Sequence, residues 1–179
     1  MNGWHKFGGG AVEGWNVEDG VLIGLGEAST NDIVTDAEFE DFELTVDWAI
    51  APKAESGIFF NVIEQGFLQA SDSGPEYQLI DDRGWPEKLP RTQLTGASYG
   101  MVPPARRATK YAGDWNRSRL VVKDGKVEHF LNGVKVVQYE LGSPEWKKPL
   151  EEWRARRDSN PRPAASKARH RDQSTQPTP

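Results

Sequence analysis

RLVVKDGKVEHFLNGVKVVQYE, residues 119–140, carries two pairs ending in glycine, Asp124-Gly125 and Asn132-Gly133, each set between short runs rich in β-branched and aromatic residues. Asp, Asn and Gly tolerate the positive φ that a two-residue hairpin turn demands, so the stretch predicts a three-stranded antiparallel meander. Working outward, DFELTVDWAI sets Phe42, Leu44, Val46, Trp48 and Ile50 against Glu43, Thr45 and Asp47. That period of two puts one face of a strand in a core and the other in water. WNVEDGVLIG brackets Asp19-Gly20 with two more strand-like runs, a hairpin over residues 15–24. GIFFNVI, residues 57–63, and EYQLID, starting at Glu76, add two further β elements. No stretch before Ser143 has helical periodicity, and no segment of 20 to 50 residues repeats. The expected fold class is all-β, a two-sheet antiparallel β-sandwich.

The totals agree. A chain of 179 residues with seven Trp, seven Phe and four Tyr can bury one core of ordinary size, and 18 Gly and 12 Pro suit a turn-rich β protein. With no cysteine, disulfides, thiolate metal sites and a Cys nucleophile are all excluded. No apolar run approaches the ~20 residues of a membrane-spanning helix. The start, MNGWHKFGGG, lacks the charged-then-apolar pattern of a signal peptide, which implies a cytosolic chain or one whose true beginning is missing. Residues 1–150 hold 15 basic and 23 acidic side chains, a net of −8 that repels phosphate backbones and argues against nucleic acid as a partner.

From Glu151 the pattern stops. EEWRARRDSNPRPAASKARHRDQSTQPTP has one aromatic, four prolines and a net charge of +3. Such a composition predicts a disordered, basic tail over 151–179, either solvated without a role or an interaction segment; RRDSNPRPAA also reads like translation of a shifted frame. The domain is therefore placed at residues 1–150. Trp4, Trp15, Trp48 and Trp115 are expected to fill its core.

Familiar catalytic signatures are missing. Gly8-Gly9-Gly10 lacks the Lys-Ser/Thr of a phosphate loop, there is no G-x-S-x-G or H-E-x-x-H, and His5, His129 and His170 lie far apart. The chemistry instead concentrates in GPEYQLIDDRG, residues 74–84. Strict alternation puts Glu76, Gln78 and Ile80 on one face and Tyr77, Leu79 and Asp81 on the other. A bulge near Leu79 or Ile80 would re-aim Asp81 to join Glu76 and Gln78. With the bulge, E-x-Q-x-x-D is similar to the E-x-D-x-x-E strand of laminarinase-type glucanases, except that Gln78 replaces the middle acid. Carboxylates that far apart on a strand are ~13 Å apart at the backbone, against the ~5 to 5.5 Å of a retaining pair.

Seven blocks in order, WNVEDGVL, DFELTVDW, SGIFFNV, GPEYQLIDDRG, ASYGMVPP, GDWNRSRLVV and VEHFLNGVKVVQYE, resemble the 3-keto-disaccharide hydrolase domain family from about Gly3 to Leu150. The resemblance implies a concanavalin A-like jelly roll of bacterial origin, periplasmic or extracellular, that acts on glycosides oxidised at C3. Family members open with a signal sequence and a strand leading into Gly-Trp. They close with a G-x-I-x-L-Q-x-H-G strand and an F-R-N-I segment. Neither end is present, so the sandwich is expected to be truncated at both. The implied chemistry is elimination: a C3 ketone acidifies the C2 proton, a base removes it, the C1 substituent leaves, and water adds to the enone.

On this reading Glu76 is the expected base and Asp81 a partner that orients it, binds hydroxyls or holds a cation. The plain alternatives are a solvated strand face for Glu76 and a turn-starting aspartate for Asp81. His129 suits proton transfer, although its parity with Val127 and Leu131 points into the core. Asn61, Gln78 and Tyr99 are candidate hydroxyl binders, Phe130 a sugar platform, Trp85 a rim contact, and Arg83 a group that could polarise a carbonyl. No cofactor is singled out by the sequence, and the oxygen-rich loop Ser71–Glu76 leaves a Ca²⁺ ion open. Two other functional classes remain beside the enzyme: a non-catalytic carbohydrate-binding module and an inactive gene fragment.

Overall fold

A computed structural model describes residues 1–26 and 31–159. The strands run in the order β1 Trp4–Lys6, β2 Trp15–Glu18, β3 Val21–Gly24, β4 Ile33–Thr35, β5 Phe42–Trp48, β6 Glu55–Phe59, β7 Glu76–Ile80, β8 Asn116–Lys123, β9 Lys126–Leu131 and β10 Val134–Glu140. The helix α1, Pro144–Ser159, follows.

All sheet pairing is antiparallel. The main layer is a four-stranded sheet in the order β10-β9-β8-β5, and β6-β7, β2-β3 and β1-β4 form two-stranded ribbons. The expected meander is its centre: Asp124 and Asn132 sit at φ of 50°, and Gly125 and Gly133 at 75° and 81°. Two consecutive positive φ values give the turn whose twist matches the flanking strands. Asp19-Gly20 closes β2-β3 in the same way.

The β6-β7 ribbon packs against the main sheet as the second layer, and residues 96–102 extend it. Gln78 N–H donates to Ala97 O, Gly96 N–H to Gln78 O and Tyr99 N–H to Glu76 O, so the loop after β7 returns as an irregular third strand. Between the layers lie Trp48, Tyr77, Leu79, Leu131 and Val136, and beside them Phe60, Leu120, Val122 and Val127. A polar chain crosses this core. Trp48 Nε1–H donates to Ser118 Oγ at 2.9 Å, Ser118 Oγ–H to Tyr77 Oη at 2.9 Å, and Tyr77 Oη–H to the Phe130 carbonyl at 3.0 Å. Every member is satisfied, which locks the register between layers.

The N-terminal ribbon ties down the loop that leads into β7. His5 lies between Asp36 at 2.8 Å and Glu64 at 2.9 Å, Gly8 N–H also donates to Glu64, and Ala70 N–H donates to Asp32. The carboxylates, Glu64 first, raise the pKa of His5.

Two expectations need correction, and one open alternative is decided. Of the four tryptophans assigned to the core only Trp48 is buried; Trp4 and Trp115 are exposed and Trp15 is half-buried. Each of those three sits in an edge ribbon or loop without a covering layer. The domain boundary at Leu150 falls inside α1, so the chain through Ser159 is helical rather than disordered. Its Glu, Lys and Arg residues favour helix, which a composition argument overlooks. The remainder of the expected tail, 160–179, lies outside the described residues. Finally, β7 has no bulge: Glu55↔Ile80 through Phe59↔Glu76 pair without a break.

Candidate active site

Without a bulge, strict parity governs β7. Tyr77 and Leu79 enter the core, while Glu76, Gln78 and Ile80 face the other side together with Glu55, Gly57 and Phe59 of β6. Over this outer face folds the loop carrying Trp85, Leu89, Gln93 and Tyr99, which encloses with Glu55, Gln78 and Ile80 an open cavity of about 220 Å³. Tyr99 is shared with a smaller hollow of about 40 Å³ on the Glu76 side, bounded by Phe59, the Ser71–Pro75 loop, Met101, and Trp146, Leu150 and Arg154 from α1.

Gly57 determines how Glu76 lies. The Glu76 carboxylate rests directly over Gly57, where a Cβ would collide with it, so a glycine inside the strand admits the close approach. Gly57 is the cross-strand partner of Gln78 and stands two residues from Glu55 on the same face. Side chains two apart on a strand start about 7 Å from each other. Glu76 thus reaches back over the ribbon to a point beside Gln78 and within side-chain reach of Glu55. Tyr99 is anchored at both ends, by its N–H on Glu76 O and by Gln93 Nε2–H donating to its hydroxyl at 3.3 Å.

The other expected site residues are elsewhere. Asp81 faces away from Glu76 and is buried, accepting hydrogen bonds from the backbone N–H of Gly84 at 2.9 Å, Lys53 at 3.0 Å and Arg83 at 3.3 Å. The Lys53 and Gly84 donors hold its carboxyl below the usual range. It is the turn-starting aspartate. Asp81→Ala should lower stability by about 1–3 kcal/mol, leaving activity per folded molecule unchanged; reduced turnover at an unaltered melting temperature would return Asp81 to the chemistry.

His129 is wholly buried between Tyr77, Phe60 and Tyr139, with Nδ1–H donating to Gly96 O at 2.9 Å. Burial pushes its pKa down to about 4, and it has no path to the cavity. Phe130 lies on the reverse face of the main sheet under the Arg119 guanidinium, 3.8 Å from the ring centroid. Arg83 is spread over Tyr111 at 4.1 Å, and Asn61 is an exposed turn residue at φ 51°. Asp82 pins the cavity loop, accepting from Thr95 N–H and Thr109 Oγ–H. Of the expected set, Gln78, Trp85 and Tyr99 line the cavity, and Glu76 lines the adjoining hollow that shares Tyr99. Glu55, Gln93 and Gly57 were not expected; strand parity from Gly57 was the available signal for Glu55. Among the described residues, no group of three or more His, Cys, Asp or Glu side chains is gathered as a metal would need. No described helix is long and apolar enough to cross a membrane.

A β-sandwich with a carboxylate-lined cavity on its outer face is the architecture of glycosyl hydrolase-like proteins. The crystal structure of a Parabacteroides distasonis protein assigned as a glycosyl hydrolase superimposes with a TM-score of 0.79 at 40% identity, covering 86% of this chain and 74% of that one. A second from the same organism gives 0.60 at 25% identity over 78% and 73%. Residues 1–168 match the 3-keto-α-glucoside-1,2-lyase-like domain, and the chain belongs to that family. The 3-keto-disaccharide hydrolase of Bacteroides thetaiotaomicron is 29% identical over 82% of this chain, which spans 57% of that protein's length.

Proposed function

We propose that the domain cleaves 3-keto-glycosides by base-assisted elimination followed by hydration. The observation that carries this reading is a cavity lined by Glu55, Gln78, Trp85 and Tyr99, with the Glu76 carboxylate lying beside it over Gly57, the cross-strand partner of Gln78; family membership supports it. An indole and a phenol offer apolar faces with polar tips, which suits a pyranose ring. Glu76 takes the C2 proton, the C2–H electron pair forms the enolate, the C3 carbonyl re-forms and the C1–O bond breaks. Glu55 stands where it can serve the departing oxygen with a proton. Water then adds to the enone, giving net hydrolysis.

A second reading has a specific observation behind it. Glu76 leans over Gly57, two residues from Glu55 on the same face, so the two carboxylates share one side of the ribbon as an ordinary glycosidase pair would. Sugar release from 3-keto-trehalose and from trehalose separates the two, using protein shown to unfold cooperatively. Elimination requires the ketone, so only the keto-sugar should be cleaved. Cleavage of trehalose at a comparable rate would install the two-carboxylate mechanism, and cleavage of neither would leave a carbohydrate-binding module.

A further inference from the structure

An elimination through a 3-ketone needs more than a base, because the enolate oxygen formed at C3 must be held by a donor placed before the reaction. Glu76, acting as the base, cannot supply it, and Glu55 is engaged at the departing oxygen. Arg83 is committed to Tyr111, and His129 is sealed behind the sheet. Gln93 Nε2–H already points to the Tyr99 hydroxyl.

Gln78 is different. It is 1% exposed yet lines the cavity, and its hydrogen bonds among the described residues are those of its backbone, to Ala97 O and from Gly96 N–H. A carboxamide at the wall of an open cavity is placed to hydrogen-bond whatever enters it. Its position is specific. Gly57, over which the Glu76 carboxylate lies, is directly cross-strand from Gln78, and cross-strand Cβ positions are about 5 Å apart. Adjacent carbons of one sugar ring, C2 with its proton and C3 with its oxygen, fit that separation.

We propose that Gln78 is the electrophilic catalytic residue of this site, its carboxamide N–H bonded to the C3 carbonyl oxygen and strengthening that bond as the oxygen becomes an enolate. The inference rests on the elimination reading. In the step, the C2–H bond breaks and its proton moves to Glu76. The electron pair enters C2–C3, and charge accumulates on the oxygen held by Gln78. Collapse of the enolate then expels the C1 substituent.

Gln78→Met keeps length and apolar volume but removes the donor. Two readouts test it: kcat and KM on 3-keto-trehalose, and deuterium uptake at C2 of 3-keto-1,5-anhydroglucitol in D2O, which lacks a leaving group and reports enolisation alone. The expected result is a fall of roughly 10²-fold or more in kcat and in exchange, with a much smaller change in KM. Should Gln78→Met melt below the assay temperature, Gln78→Asn, which keeps the amide but withdraws it by one methylene, should show the same split in kcat. Exchange and kcat within threefold of wild type, or a loss confined to KM, would overturn the assignment. Wild-type protein that neither exchanges C2 nor releases sugar would overturn the elimination reading itself, and the role of Gln78 with it.

Discussion

Glu76→Gln should lower turnover of a 3-keto-glycoside by about 10³-fold, within the range that a positioned general base contributes, while the melting temperature stays close to wild type. The substitution preserves shape at a half-buried position on the outer face of β7, where it touches the Gly57 backbone rather than the core. The charge and the basicity are lost while the shape is kept, so the effect belongs in kcat, with KM near its original value. The Gly57 contact makes the result interpretable, since Gln fits the same space over the ribbon. Equal turnover by the folded variant would remove Glu76 as the base. A parallel collapse of activity on unmodified trehalose would instead assign Glu76 to a two-carboxylate glycosidase.

The second large effect concerns stability. His129 is neutral in the fold, with its pKa pushed down to about 4 by burial, whereas an unfolded histidine titrates near 6.5. Between those values the unfolded chain binds a proton that the folded chain refuses. Stability from this group is therefore complete above pH 6.5 and declines as pH falls toward 4. The separation corresponds to ~3 kcal/mol at the acid end of the window. Urea midpoints from pH 7 to 4 should show the decline, and His129→Leu should flatten it, even though loss of the bond to Gly96 O makes that variant less stable at pH 7. An identical slope in both proteins would mean that His129 is not the group responsible. Asp81 and Glu64, whose pKa values are lowered by backbone N–H and by His5 respectively, shed their contributions as pH falls through their own lower values and remain in both proteins.

Local patterns carried the strands. Asp19-Gly20, Asp124-Gly125 and Asn132-Gly133 are hairpin turns because side-chain and backbone sterics at two residues decide the matter without outside help. The alternation of Phe42–Trp48 was likewise legible, since a period of two means one buried face in any sheet. Family membership could be read from block order alone. Parity already held both answers for Asp81, and only the unbroken pairing of β6 with β7 chose between them.

Burial by partners distant in sequence could not be read from the chain. Trp4 and Trp115 look like core residues until their elements prove to have no covering layer, and the burial of Gln78 depends on the 85–99 loop folding over it. The site depends on the same kind of fact. Residue type and spacing nominated Glu76, Gln78, Trp85 and Tyr99, because acids, amides and aromatics near one strand have few other uses. Tertiary structure brought Glu55 across the ribbon and Gly57 beneath the carboxylate, and sent His129, Phe130 and Arg83 elsewhere. A strand's own sequence specifies its two faces. Which face meets a core and which meets a cavity is settled by what packs against it.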